Sequence, residues 1–351
     1  LLGYYAVGDG GGGLLKWDAS STATANDGTI FLPNSAPSSG RWIRDETGTV
    51  TSAQFGCKHD GVTQTLTRVQ ALIDYGFANS TQYKKINILL QSGLVINDTL
   101  YIGAASAGHV VTNTPNIHGI GRCSITYTGA ANKTAIQFGF TANSNVAYAA
   151  VSRISVTFAG ADPTGTIGIA NLSAHYINFN GVTSYGFNTG INHIGGIGCN
   201  YDFESMSITG RQQIINISYD AGNNFKPNVT CFKNGRLTGT VSNATGINGN
   251  IFGGGIKFER LVFEGNMELG FQLINNGAVE SGGLHWDRVV FENCWFEAIT
   301  NYVGKITNTY VEMRDCFAAN NLSVWKADAE SHIWFTGSGS YNAPLVYINP
   351  A

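Results

Sequence analysis

The chain alternates short apolar runs with clusters of glycine, asparagine, serine and threonine. In Ile86-Asn87-Ile88-Leu89-Leu90 and Ile154-Ser155-Val156-Thr157-Phe158, apolar side chains return at every second residue. That period predicts strands with one buried face. One segment departs from it. Leu66, Val69, Leu72 and Ile73 recur at helical spacing, so a helix is predicted from a Thr63 or Thr65 cap through Asp74, with Gly76 as its stop. Residues 1–50 carry shorter strands and tight turns. Asn26-Asp27-Gly28 leads into a strand at Ile30, and Gly40-Arg41-Trp42-Ile43 reads as another. The run Gly8-Asp9-Gly10-Gly11-Gly12-Gly13 lacks the Gly-Lys-Ser/Thr ending of a phosphate loop, and no helical pattern follows it. It reads as a turn between strands.

A longer period overlies the short one. Segments starting at Phe203, Phe232, Phe258 and Trp286 share one order: aromatic, two polar, apolar, any, apolar, polar, small. The copy at Phe232 is looser, with Gly235 at its first apolar place. The starts are 29, 26 and 28 residues apart. Phe179-Asn180-Gly181-Val182 opens an earlier copy, and Val311-Glu312-Met313-Arg314-Asp315-Cys316 closes a later one. A coil of a parallel β-solenoid uses roughly 20–30 residues and cannot bury its apolar positions alone. Stacked coils place equivalent residues about 4.8 Å apart. This register predicts Leu261 beside Val289, then Phe263, Phe291 and Met313 in one inward column, with Cys294 beside Cys316 inside.

The same register predicts two outward columns. One runs Glu204, Lys233, Glu259, Asp287. The other runs Thr209, Thr238, Glu264, Glu292, Arg314. Carboxylates therefore sit one rung apart twice, as Glu259 with Asp287 and Glu264 with Glu292. Like charges at that range raise one pKa, which makes an acid/base pair. Glycoside hydrolysis uses two carboxyls, about 5–5.5 Å apart for retention or 6.5–9.5 Å for inversion. The catalytic candidates are Glu204, Glu259, Glu264, Asp287 and Glu292. Lys233, Arg314, Trp295 and Tyr310 are candidate substrate contacts, and Trp325 and Trp334 are further aromatics of the kind that stack on sugars, whereas Trp286 holds the aromatic repeat position and reads as structural. The plainer alternative is a solvated face, with Lys233, Arg260, Arg288 and Arg314 relieving repulsion and the aromatics used for packing.

Composition narrows the partners. Charged residues are only 12% and hydrophobic ones 43%. Neutral polar residues must cover much of the surface, and such a surface suits sugar hydroxyls. The net charge of −3 gives no basic face for nucleic acid. No apolar run reaches membrane-spanning length. The 45 glycines against 7 prolines fit a chain with many turns. The six cysteines lack metal spacing and read as buried free thiols. His175, His193, His285 and His332 are too scattered for a metal motif, and no Ser/His/Asp arrangement stands out. No metal or cofactor is expected. The Asn-X-Ser/Thr triplets are those expected by chance in such a composition. The opening at Leu1, without methionine or signal peptide, reads as an excised segment.

Phe55-Gly56-Cys57-Lys58-His59-Asp60-Gly61-Val62-Thr63, running into a helix with Val69-Gln70-Ala71-Leu72-Ile73-Asp74, resembles the opening signature of the pectate-lyase-like superfamily. Cys57 stands where members usually have alanine, and Gln64-Thr65 where they have an acidic pair. Gly3-Tyr4-Tyr5-Ala6-Val7-Gly8-Asp9 with Trp17-Asp18 and Gly40-Arg41-Trp42 resembles the virion-proximal module of bacteriophage tailspikes. The resemblance covers residues 1 to about 75, and beyond it only the coil pattern matches. It implies an all-β fold: a β-rich module at 1–50, then a capping helix and a right-handed parallel β-helix over 51–351. It implies a homotrimer on a phage tail or baseplate, assembled in the host cytoplasm and acting outside the cell on capsular polysaccharide or O-antigen. Phe271 and Tyr302, read as exposed between coils, point to the same trimer. Members usually continue past the point where this chain ends, at Asn349-Pro350-Ala351, so a short member or further coils are both expected. The family's catalytic carboxylates occupy no fixed motif, so the site residues rest on the register alone. Endoglycosidic hydrolysis is the preferred reading. A polysaccharide lyase and a non-catalytic receptor-binding tail protein are the alternatives.

Overall fold

The computed structural model describes all residues except 82, 104–113, 140–148, 221–226, 251–253, 275–287, 320–322, 328–330, 342–346 and 349–351. Near the N-terminus, Leu15–Asp18, Arg41–Arg44 and Ile30–Phe31 form a small antiparallel sheet. Trp17 pairs directly with Trp42, ring centroids 5.2 Å apart. The glycine run is a turn, but not one between strands: among the described residues the first strand, Leu15–Asp18, follows it. The amides of Gly8 and Gly13 donate to the Leu2 and Leu1 carbonyls, and that of Gly11 to Asp9. The Asp9 carboxylate accepts N–H groups from Ala6, Tyr4, Tyr5 and Gly11 at 2.6–3.0 Å. Those bonds hold its carboxyl well below the usual range. A phosphate loop would aim the same donors at a ligand.

The helix spans Leu66–Asn79, beyond the expected end at Asp74. Gly76 lies inside it and does not stop it. A Cβ there would come within 2.6 Å of Ile88 and 3.1 Å of Pro115, so the glycine serves close packing. Thr65 occupies the N-cap, but its hydroxyl donates to the Val95 carbonyl at 2.9 Å instead of capping. That bond ties the helix to the strand Leu94–Ile96. Val69, Leu72, Ile73 and Phe77 are buried and join the same core as Val50 and Ile88.

From Thr49 onward the strands form a parallel β-helix, and every strand pairing in it is parallel. Its coils have three faces. The first stacks Thr49–Thr51, Asn87–Leu90 and their successors up to Arg288–Glu292, Tyr310–Arg314 and His332–Thr336. The second includes Leu94–Ile96, Trp295–Glu297 and Phe317–Ala319, and the third Leu100–Ile102, Thr189–Ile194 and Gln213–Ser218. Coil length varies: bonded partners are 22 residues apart at Asn178–Asn200 and 34 apart at His118–Ser152.

The corner between the first and second faces is built the same way in coil after coil. Arg153, Asn234, Arg260, Asn293 and Asp315 all take left-handed backbone there, with φ of 49° to 57°. One such residue turns the chain sharply without breaking the strands on either side. Glu204 is in this class too (φ 49°), so it belongs to a corner and not to a strand face.

The core confirms the stacking principle and corrects the register. Phe179, Tyr201, Phe232, Phe258 and Phe291 form one inward column. Successive centroids are 4.5, 4.6, 5.4 and 4.8 Å apart, with near-parallel planes. Tyr201 thus lies beside Phe232, where Phe203 was expected, because the corner at Glu204-Ser205 shifts the register. Phe258 pairs with Phe291, not Trp286. Val289 consequently faces Ile256, not Leu261, and Phe263 faces Phe296. The expected pairing of Phe291 with Met313 is present. Phe271 is fully buried, contrary to the reading of it as an exposed contact, and Trp325 is also buried. Both occupy the inward side of the third face.

The low charge content has a structural use. Like charges one rung apart repel unless a counter-charge lies between them, whereas amides suit the spacing, since each donates and accepts. Asn192, Asn216 and Asn248 chain together along the third face at 2.8 and 2.9 Å. Asn178 and Asn200 do the same on the first.

One buried polar group makes stability depend on pH. His193 has no exposed surface, and its Nδ1 lies 3.0 Å from the Tyr201 hydroxyl. Burial lowers its pKa from the ordinary 6.5 to about 4. The unfolded chain therefore takes up this proton first as pH falls. The stabilisation is complete above pH 6.5, declines below it, and is lost once pH passes about 4. The loss expected is about 3 kcal/mol. Denaturation at pH 7.5, 6, 5 and 4 measures it, and His193→Asn should flatten the profile.

Candidate functional site

The polar cluster that brings the candidate residues together lies on the outer side of the first face. Asp202, Lys233, Glu259, Glu292 and Arg314 occupy one column. Two positions earlier on the same strands, Lys257, Val290, Glu312 and Trp334 form a second. Strand alternation puts both columns on the same side.

Signs alternate across this surface. Lys257 Nζ lies 3.0 Å from Glu259 and also pairs with Glu292. Arg260 pairs with Glu259, and Arg288 with Glu312. Arg314 contacts two carboxylates, Glu312 at 2.9 Å and Glu292 at 3.8 Å. Lys233 reaches Asp202 at 3.5 Å. The side chains of Glu259 and Glu312 are only 16% and 11% exposed, so water screens these pairs incompletely. The Lys257 ammonium holds the Glu292 carboxyl below its ordinary pKa. Glu292 is thus ionised at neutral pH, as a nucleophile or base must be and a general acid must not.

Beside this network, Arg288, Tyr310, Val311, Glu312, His332 and Trp334 line an open cavity. Tyr310 and His332 stack at 5.0 Å and 16°. Trp334 is 64% exposed. The cavity combines exposed aromatic surface with a carboxylate and a guanidinium, which suits a ring bearing both C–H and O–H groups.

The expected pairs are rearranged. Glu259 and Glu292 are in register on adjacent rungs, whereas Glu292 was expected beside Glu264. Glu264 lies on the second face and pairs with Arg236 at 3.3 Å. Glu204 sits at its corner. Asp287, with Trp286 and His285, lies outside the described residues. Of the proposed substrate contacts, Arg314 and Tyr310 belong to the network and cavity. Lys233 is in the column one rung below Glu259. Trp295 is exposed on the second face, 6.0 Å from Phe317, and its indole N–H donates to Glu297 at 3.2 Å. Glu312 was not among the candidates. Its signal was present, since Val311 and Met313 alternate inward and leave Glu312 outward, on the strand that carries Arg314 and beside the one that carries Arg288.

Residues 1–47 match a family described as the phage tail protein small four-stranded β-sheet domain. No curated protein matches the chain. The structure is similar to the tailspike protein of Acinetobacter phage vB_ApiP_P1, with a TM-score of 0.56 and 14% identity, over 96% of this chain and 67% of that one. It is also similar to the tailspike protein gp49 of Acinetobacter baumannii bacteriophage Fri1, a capsular polysaccharide depolymerase. There the TM-score is 0.51 and the identity 15%, over 98% of this chain and 72% of that one. At such identities the likeness establishes the fold: a tailspike-type parallel β-helix.

Proposed function

We propose that this chain is the polysaccharide-handling part of a phage tailspike, and that it binds and hydrolyses capsular polysaccharide or O-antigen. The observation that carries the reading is the in-register pair Glu259 and Glu292 beside an aromatic-lined cavity. Adjacent rungs lie about 4.8 Å apart. That is close to the carboxyl separation of retaining glycosidases, about 5–5.5 Å. Glu292, held ionised, is the nucleophile, and Glu259 is the proton donor once substrate displaces both Lys257 and Arg260 from it. Arg314, fixed by Glu312, and Lys257 contact the sugar. The phage tail match at residues 1–47 supports attachment through the N-terminal module to a virion tail. The tailspike fold supports action outside the cell as a homotrimer.

The test is incubation of the trimer with purified capsular polysaccharides and O-antigens, followed by size analysis and product chemistry. Shortened chains with new reducing ends and no unsaturated sugar are expected. Products that absorb in the ultraviolet through a new double bond would replace hydrolysis with a lyase mechanism. Binding without shortening would leave a receptor-binding spike.

A further inference from the structure

We propose that Cys294 and Cys316 form a redox pair that closes to a disulfide between two adjacent coils. The geometry follows from the corner they share. Glu292 pairs with Arg314 before it, and Trp295 with Phe317 after it. Asn293 N–H donates to the Arg314 carbonyl at 2.9 Å, and Phe317 N–H to the Cys294 carbonyl at 3.0 Å. The two cysteines are therefore clamped as direct neighbours on consecutive rungs. Their Cα atoms are separated by the strand spacing, about 4.8 Å. Disulfides span Cα separations of roughly 4.4–6.8 Å, so the backbone need not move.

The side chains face the same interior. Both residues are buried, and the Cys316 sulfur accepts the Cys294 N–H at 3.4 Å. It thus reaches down to the coil that carries Cys294. The Cys294 thiol donates in the opposite direction, to Phe258 and Glu292 carbonyls at 3.5 Å. The Cys316 thiol in turn donates to the Phe291 and Arg314 carbonyls at 3.4 and 3.3 Å. A side-chain rotation of Cys294, with the loss of these weak thiol hydrogen bonds, separates the dithiol from the bonded form. The arrangement also favours one partner as nucleophile. A hydrogen bond from Cys294 lowers the Cys316 pKa, while burial raises that of Cys294. Cys199 and Cys231 also lie on successive coils but cannot pair this way. Cys231 is in register with Asn200, so the two thiols leave opposite sides of the strand.

The oxidant is a peroxide. The Cys316 thiolate attacks one peroxide oxygen, giving a sulfenic acid and releasing hydroxide. The Cys294 thiol then displaces water from that sulfur. Two thiols and one hydrogen peroxide become one disulfide and two waters. Both thiols are buried, so the peroxide enters through local opening of the coil, which slows closure.

The folded chain is treated with hydrogen peroxide, denatured, alkylated and digested. One cross-link, Cys294 to Cys316, is expected, with the other four cysteines alkylated. The melting temperature should rise by on the order of 5 °C and fall back on reduction. Cys294→Ser should abolish the cross-link and the rise together. Full alkylation of all six cysteines, a different pairing, or sulfinic acid at Cys316 with Cys294 still free would each overturn the proposal.

Discussion

Glu292→Gln is expected to lower the rate of polysaccharide cleavage by at least a hundredfold while leaving binding nearly unchanged. The substitution keeps the size of the side chain and removes its charge. Lys257 retains Glu259, and Arg314 retains Glu312, so the neighbouring cations stay neutralised. What disappears is the carboxylate of the proposed pair that the Lys257 ammonium holds ionised. Loss of a positioned acid or base costs typically 10²–10⁴-fold in rate. Because the lost interaction develops in the transition state, it should appear in kcat and not in KM. Glu264→Gln is the informative comparison, since Glu264 lies on another face with Arg236 as its partner. A large loss there with none at Glu292 would move the catalytic pair to the second face.

Phe258→Ala is expected to destabilise the fold by about 3–5 kcal/mol. Phe258 is fully buried and lies between Phe232 at 5.4 Å and Phe291 at 4.8 Å. Its truncation leaves a gap in the middle of the column that rigid rungs cannot close. The coils above and below stack directly on this ring, so coupling between them should weaken as well. Chemical denaturation of the two proteins measures the effect, and a broadened or split transition would report the lost coupling. A loss below about 1 kcal/mol would show that the column does not hold the coils together. Phe335, only half-buried in a later coil of the same column, should be far more tolerant.

The architecture was readable because solenoid burial is local in kind. Each coil needs apolar residues at fixed places, so Phe232 and Phe258 mark the same face wherever they fall in the chain. The short period of Ile154–Phe158 was equally legible, since only inward residues must be apolar. The register was not legible beyond its strongest copies. Tyr201 is as good a stacking ring as Phe203, and a corner residue shifts the frame without altering composition. Trp286 matched the aromatic position well, yet Phe291 fills it, because coil length is free to vary in the connections. The helix end failed for a related reason: Gly76 looks like a stop in isolation, but Ile88 and Pro115 require a glycine there.

The site shows the same division. The sequence alone determined that acidic and basic residues recur on outward positions of a coiled β-structure, because alternation along each strand fixes which side a residue faces. Which carboxylates become neighbours was decided only by tertiary structure. A corner of one left-handed residue sets how each coil lies on the next, and that placement joins Glu259 to Glu292 and leaves Glu264 on another face. Facing is a property of one strand, whereas adjacency depends on the length and turning of everything between two strands.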